Sequence, residues 1–179
     1  MRKIFKIGVS LILCIFMASC ASISSQDKII TKEEVSATVT SEFEAVLNIK
    51  YKELQATATI KQDLPQKCSI MFTSPQSLKD MYFEMDKETV LIDYKGLKLE
   101  SRIEDIPNSS VVKLVVFAID QVAKKNGIRM KLQDTALIVS GALEGGVFDL
   151  VLDATNANIL KLIIPEQQLE IEFINFKFI

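Results

Sequence analysis

The side chains that could carry out chemistry are few in this 179-residue chain, and they form no recognisable catalytic set. The sequence has no histidine, which excludes a Ser-His-Asp triad, a Cys-His pair and a histidine-based metal site. Glu170 and Glu172 are two residues apart, the spacing of one outward strand face, and we interpret them as a solvated pair. No glycine-rich phosphate loop is present. We therefore expect no enzyme activity, no metal and no cofactor.

Cysteine is the other reactive residue type, and two of the three cysteines lie at the start of the chain. Cys14 belongs to a twelve-residue apolar run, Ile7 to Ala18, which follows a basic segment. A membrane-spanning helix needs roughly 20 apolar residues, so this run is typical of a secretory signal. Two small residues, Ala18 and Ser19, then precede Cys20.

The segment Met17-Ala18-Ser19-Cys20 resembles the lipobox of bacterial lipoproteins. In that family the cysteine thiol receives a diacylglyceryl group, and the signal is cut just before it. The resemblance implies that residues 1–19 are a signal peptide and that Cys20 is the lipid attachment site. The protein would then be anchored in the cell envelope, at the outer leaflet of the cytoplasmic membrane or at the outer membrane. The alternative is an ordinary signal peptide with an incidental cysteine.

The chain after the signal is long enough for one domain with a sizeable core. We divide it into a lipidated tether, 20–29, and a domain, 30–179. Loss of the three basic residues of the signal leaves 18 basic and 23 acidic residues, a net charge of −5, so we expect no nucleic-acid partner. Cys68, the third cysteine, shares strand parity with Ile70 and Phe72, and we interpret it as a small core residue.

Alternating apolar residues predict a β-rich domain. From Glu42 to about Arg102 the alternation predicts six strands in an antiparallel meander, with turns at Lys52-Glu53, at 86–88 and at Lys95-Gly96. Four more segments alternate or are apolar after residue 127, and they predict strands at 128–133, 136–143, 148–153 and 159–164. A last strand, 169–178, changes the parity of its apolar residues near Ile174, which predicts a bulge or a sharp bend.

Two helices are predicted among these strands. Thr31 and Glu34 have capping-box spacing, which predicts a short helix over about 32–38 that we expect at the sheet edge. A second, strongly apolar helix is predicted from Ser109 or Ser110 to about Asn126, with Gly127 after its end. A buried strand over 111–119 is the alternative, because this segment is rich in β-branched residues.

These elements predict an α+β fold: a curved antiparallel sheet, or incomplete β-barrel, of about ten strands. One apolar helix would pack on the concave side, beside a short N-terminal helix. The layout is similar to the LolA/LolB superfamily of lipoprotein carriers and receptors, from the 56–61 strand through Phe72–Leu78 to Val90–Gly96. That resemblance implies a half-barrel whose helices plug its concave side, over about residues 30–179.

A cavity between sheet and helix would give this fold a function. We expect the following residues to line a site for an acyl chain or other amphiphile, unless they simply pack as core: Ile70, Phe72, Met81, Phe83, Met85, Val90, Ile92, Val112, Val115 and Ile119. The first hypothesis is an anchored lipoprotein that binds such a ligand, with a possible role in lipid or lipoprotein trafficking. The second is a tethered interaction or scaffolding module for an envelope protein partner, with no small-molecule ligand.

Overall fold

The computed structural model describes residues 30–64 and 67–179. The predicted signal peptide, the lipobox Met17–Cys20 and the tether 20–29 lie outside the described residues. None of the described helices is long and apolar enough to cross a membrane.

The described residues form eleven strands and two α-helices, one strand more than the approximate number expected. The helices are α1 (Lys32–Thr40) and α2 (Val111–Ala123). The strands are β1 (Phe43–Tyr51), β2 (Leu54–Leu64), β3 (Lys67–Ser74), β4 (Tyr82–Met85), β5 (Thr89–Tyr94), β6 (Leu97–Arg102), β7 (Arg129–Gln133), β8 (Ala136–Leu143), β9 (Gly146–Asp153), β10 (Ile159–Ile164) and β11 (Leu169–Phe178).

All eleven strands belong to one antiparallel sheet, which is curved and does not close. The order is β6-β5-β4-β3-β2-β1-β11-β10-β9-β8-β7, so the predicted six-strand meander is confirmed. The pairing of β1 with β11 joins this meander to a second meander formed by the other strands. Strands β6 and β7 are therefore the two edges of the described sheet.

One face of the sheet, which we call the inner face, carries the core. Its residues alternate with polar ones, as in β1, where Phe43, Ala45, Leu47 and Ile49 are buried. The opposite, outer face is mostly polar and includes many charged residues. Lys161, for example, pairs with Glu170 at 2.8 Å and with Glu172 at 3.3 Å, so the predicted interpretation of these two carboxylates as a solvated pair is confirmed.

The predicted bulge in the last strand is also present. The register of β1 with β11 shifts between Glu44 and Val46, and Asn175 adopts a left-handed conformation with φ 54°. This extra residue moves the following apolar side chains to the other parity. Phe176 thereby reaches the core and stacks on Phe43, with ring centroids 4.9 Å apart.

Segment 111–123 is a helix, which settles the alternative between helix and strand. Ser110 lies at the N-cap, although its hydroxyl makes no capping hydrogen bond. The helix ends at Ala123 and not near Asn126, because Lys125 takes the left-handed conformation (φ 60°) that terminates it before Gly127. Helix α2 packs against β8, β9 and α1.

Helix α1 begins with the predicted capping box, in which Thr31 and Glu34 exchange backbone and side-chain hydrogen bonds. Its expected place at the sheet edge was wrong. It packs on α2, where the hydroxyl of Ser36 donates to the carbonyl of Ala123 at 2.8 Å. Val35 and Val39 bury its apolar side in the common core, which favours a helix partner over an edge strand.

Candidate functional site

Most residues expected to line a ligand site lie on the inner face of strands β3 to β6, which we call the β3–β6 arm. The strand register places Ile70, Phe83, Ile92 and Leu99 directly opposite one another in a row across four strands. A second row joins Cys68, Met85 and Val90. Directly opposite residues of an antiparallel sheet share a face, so both rows point to the helix side.

Burial along the first row decreases toward the edge. Ile70 is 2% exposed, Phe83 and Ile92 are half-buried, and Leu99 is 60% exposed. Phe72 is buried beside Phe83, with ring centroids 6.1 Å apart, and Met81 is half-buried. Met85 and Val90 of the second row are buried. The inner face is therefore core at β3 and becomes an apolar surface accessible to solvent at β6.

The three helical residues of the expected site belong to the core. Val112, Val115 and Ile119 are all buried, and Val115 has no exposed surface. Besides α1, helix α2 packs on β8 and β9, and another side of the helix borders a gap toward β2, β3 and the turn between β4 and β5. Of the ten expected lining residues, Ile119 lines a pocket in this gap.

The gap contains two pockets along α2. The first, of about 200 Å³, is lined by residues of α1, β2, β3 and α2, among them Val39, Gln62, Cys68 and Ile119. The second, of about 250 Å³, is lined by the turn between β4 and β5, by Ile103 and Leu143, and by α2. Both include Val116, Asp120 and Lys124, so the pockets adjoin along one side of the helix. We call the two together the α2 cleft.

The α2 cleft is apolar inside and charged at its rim. Asp120 and Lys124 form an ion pair of 2.5 Å on the shared wall. Asp86 lies at the rim of the second pocket, and hydrogen bonds from the backbone N–H groups of Glu88 and Thr89 lower the pKa of its carboxyl. Asp86 therefore closes a turn, and its role is structural.

Two polar side chains of the first pocket already have structural roles. The amide of Gln62 donates to the carbonyl of Val39 at 2.7 Å and to that of Ser41 at 3.0 Å. Cys68 is buried, and burial, followed by the nearby Asp63 charge, raises the pKa of its thiol to about 12. The thiol is therefore protonated at neutral pH and is a poor nucleophile, which confirms its interpretation as a core residue.

Sequence reasoning missed most of the cleft. Val39, Gln62, Val116, Asp120 and Lys124 were not expected to line a site. The sequence did contain a signal for Gln62, because it lies on the same strand face as Ala58 and Ile60. A glutamine at such a position is buried, and its amide then needs hydrogen-bond partners inside the protein. The other four could not be identified without knowing which strands α2 covers. Within the described residues, no group of three or more cysteine and carboxylate side chains could hold a metal ion.

No protein-family model and no curated protein sequence matches this chain. An uncharacterised conserved protein from Thermus thermophilus aligns with a TM-score of 0.57 and 12% identity, over 82% of this chain and 84% of that one. MucB aligns with a TM-score of 0.50 and 13% identity, over 82% of this chain and 57% of its own. This chain shares their fold. At such identities the likeness shows the fold and not the function.

A LolA superfamily protein from Nitrosomonas europaea also matches, with a TM-score of 0.45 and 8% identity over 84% of this chain and 94% of that one. MucB has also been solved in complex with MucA. The chain spans little more than half of MucB, so it has no counterpart to the rest of that protein in the alignment.

Proposed function

We propose that this protein is an envelope lipoprotein, anchored through Cys20, that binds the apolar chain of an amphiphile in the α2 cleft. The observation that carries the proposal is the pair of adjoining pockets along α2, one facing α1, β2 and β3 and the other facing the turn between β4 and β5. Apolar side chains form their walls, while Asp120, Lys124 and Lys87 form a charged rim that suits a polar headgroup.

The size of the cleft limits the ligand. Ligand pockets typically occupy about 300–1,000 Å³, and each of the two pockets is smaller than that range. A ligand must therefore extend through both. A narrow cleft of this kind suits a single acyl chain better than a lipid with two chains.

The same size predicts modest affinity. Burying about eight methylene groups contributes roughly 6 kcal/mol at ~0.8 kcal/mol each. This corresponds to a dissociation constant of roughly 20 µM before the costs of association are subtracted. We therefore expect reversible binding, which fits a protein that takes up and releases a ligand at a membrane surface.

Binding without turnover is part of the proposal. The sequence has no histidine, and the thiol of Cys68 is buried and protonated. Two further polar groups of the cleft are engaged, Gln62 with backbone carbonyls and Lys124 with Asp120. These groups suit the positioning of a ligand and not its chemical conversion.

Ligand binding is tested with residues 21–179, which include every described element of the fold. The protein is purified, its native mass is measured before and after denaturation, and it is titrated with dodecanoate. In Val116→Phe the larger side chain would occupy space in both pockets, because Val116 lines each of them. We expect this variant to bind dodecanoate at least tenfold more weakly. Val147→Phe is the matched control, because Val147 is 46% exposed and lies outside the cleft. No uptake by the unaltered protein, or equal uptake by folded Val116→Phe, contradicts the proposal.

Anchoring is tested separately in a bacterial host. The full chain should enter the membrane fraction and its N-terminal peptide should carry the mass of a lipid on Cys20. Cys20→Ser should release the protein to the soluble fraction or leave the signal uncut. An N-terminal peptide of the unaltered protein without a lipid on Cys20, or a Cys20→Ser protein that has lost its signal and still stays in the membrane fraction, would show that the lipid anchor is wrong.

A protein partner is the second candidate function. The observation that favours it is the row of Phe83, Ile92 and Leu99, whose first two members are half-buried and whose last is exposed at the β6 edge. MucB, of similar fold, binds the protein MucA. Crosslinking of the anchored chain in the envelope, followed by mass spectrometry, tests for such a partner.

A further inference from the structure

The two edges of the sheet differ in a way that bears on self-association. An edge strand exposes unpaired N–H and C=O groups, and proteins usually protect such edges from pairing with another chain. In the described residues, β6 and β7 are the strands with one neighbour each. Their side chains decide which of them could pair with a second copy.

Strand β6 combines exposed apolar and oppositely charged side chains. Leu97 is 78% exposed and Leu99 is 60% exposed, and both point to the inner face, opposite Tyr94 and Ile92. On the outer face, Lys98, Glu100 and Arg102 alternate in sign. Lys98 has a long ion pair of 3.7 Å with Asp93 and a side chain that is 67% exposed, so it is available to a closer carboxylate.

Strand β7 carries charges of one sign. Its outer face consists of Arg129, Lys131 and Gln133, so no antiparallel register of two β7 strands brings opposite charges together. Pairing of β6 with β7 would also propagate head to tail into rings or open filaments, whereas a two-fold pairing of identical edges closes as a dimer. Strand β6 is therefore the edge suited to self-pairing.

We propose that two copies of this protein associate through antiparallel pairing of their β6 strands, centred on Leu99. In this register Leu99 lies opposite Leu99 of the second copy. Lys98 lies opposite Glu100 of the second copy, and Glu100 opposite its Lys98, which gives two complementary pairs. Leu97 of each copy comes to lie opposite Ser101, so the exposed leucines are covered.

The competing register is centred on Ser101 and is weaker for two reasons. It pairs Glu100 with Arg102, but the ladder then spans three residues, 100–102, in place of five, 97–101. Arg102 is also already bonded to Glu104 at 2.6 Å and to Asp105 at 3.2 Å. The register centred on Leu99 pairs more residues of β6, and its cation is Lys98, which has fewer and longer ion pairs than Arg102.

A single-strand interface is small compared with the ~1,200–2,000 Å² of standard stable interfaces, so the dimer should be reversible and concentration-dependent. Tethering to one membrane would raise the effective concentration of the copies. The pairing does not depend on ligand binding in the α2 cleft, because β6 contributes no residue to either pocket.

Charge reversal tests the register by sedimentation velocity on residues 21–179 over a wide concentration range. In Lys98→Glu the outer-face positions 98 and 100 are both acidic, and in Glu100→Lys the same two positions are both basic. Each variant alone should dimerise at least about tenfold more weakly, since two attractive pairs become repulsive. An equimolar mixture should recover the dimer, because the two variants are complementary to each other. Recovery on mixing also shows that both variants are folded.

A crosslink locates the edge in the full, anchored chain. Opposite residues of an antiparallel ladder have Cα atoms about 4.5–5.5 Å apart, which suits a disulfide. Leu99→Cys should therefore form an oxidised dimer, while Leu132→Cys, exposed on β7, should not. A protein that stays monomeric at all concentrations, a Lys98→Glu variant that dimerises normally, or a crosslink through residue 132 alone would overturn the proposal.

Discussion

Replacing Gln62 with leucine should destabilise the fold through helix α1. Gln62 is 4% exposed, and its amide donates to the carbonyl of Val39, in the last turn of α1, and to that of Ser41. Carbonyls at the end of a helix have no intrahelical partner, so Gln62 supplies the bond that the helix cannot make. Leucine has a similar volume, and the change therefore removes hydrogen bonds with little cavity formation.

The expected loss is about 2 kcal/mol of unfolding free energy. The Val39 carbonyl is buried at this contact, and an unsatisfied buried carbonyl costs about 1–3 kcal/mol. The bond to Ser41 is partly buried, so water can replace it at small cost. For a domain of this size, 2 kcal/mol corresponds to a decrease in Tm of about 4–8 °C.

Urea unfolding of residues 21–179, followed by circular dichroism, measures this difference. Gln121→Leu is the matched control, because the amide of Gln121 donates to the carbonyl of Asn126 at 2.8 Å in an exposed position. We expect it to change stability by less than about 0.5 kcal/mol. Hydrogen exchange of the α1 amides should accelerate in Gln62→Leu before that of β1. Equal effects of the two leucine variants would refute the reasoning.

Three further predictions concern other parts of the fold. In Gly141→Ala the new Cβ would lie 2.6 Å from the ring of Phe148, so we expect a loss of about 1–3 kcal/mol in urea unfolding that is smaller in a Phe148→Leu background. The hydrogen bond from Lys161 lowers the pKa of Glu170, so the stabilisation from this carboxylate is present above pH ~4.3 and is lost as pH falls through the lower folded pKa; in thermal melts the deficit of Glu170→Gln should therefore shrink progressively as pH is lowered below ~4.3. The thiol of Cys68 should resist a maleimide at pH 8 until the protein is unfolded, and rapid native labelling would contradict its burial.

The alternation of apolar and polar residues predicted the strands well, because each strand buries one face against the core and exposes the other. The bounds of β8, β10 and β11 agree with the apolar segments, and Lys52 and Lys95 adopt the left-handed conformations that their hairpin turns need. The change of parity in β11 was readable for the same reason. A side chain that must reach the core from the wrong parity requires an extra residue, and Asn175 is that residue.

The position of α2 could not be read from the sequence. Val112, Val115 and Ile119 show that the helix is buried, but no periodicity specifies which strands lie beneath it. Its end was misjudged because Lys125, and not Gly127, is the first residue to leave the helix with positive φ. Glycine is favoured but not required at the left-handed position after a helix, so placing the end of the helix next to Gly127 gave an end three residues too late.

The described part of the chain has two α-helices, which are too few to cover the inner face of an eleven-stranded sheet, and this explains why a cleft and an exposed edge occur in the same fold. Neighbouring strands are about 4.8 Å apart, so eleven strands span roughly 48 Å around the curved sheet. An α-helix is about 10 Å wide, so two helices side by side cover roughly 20 Å. Strand burial agrees with this estimate, since Leu97 and Leu99 at one edge and Leu132 at the other are exposed.

Curvature alone cannot bury the rest of the inner face, because the sheet does not close. The outer part of the β3–β6 arm, toward β6, must therefore remain apolar and accessible or be covered by something other than α1 and α2. The amphiphile proposed for the α2 cleft lies beside the inner part of the arm, near Cys68. The second copy proposed at β6 covers the outer part, near Leu99. Because these parts are separate, Val116→Phe should leave the dimer unchanged and Lys98→Glu should leave dodecanoate binding unchanged. A variant that affects both would show that one occupant covers the whole arm.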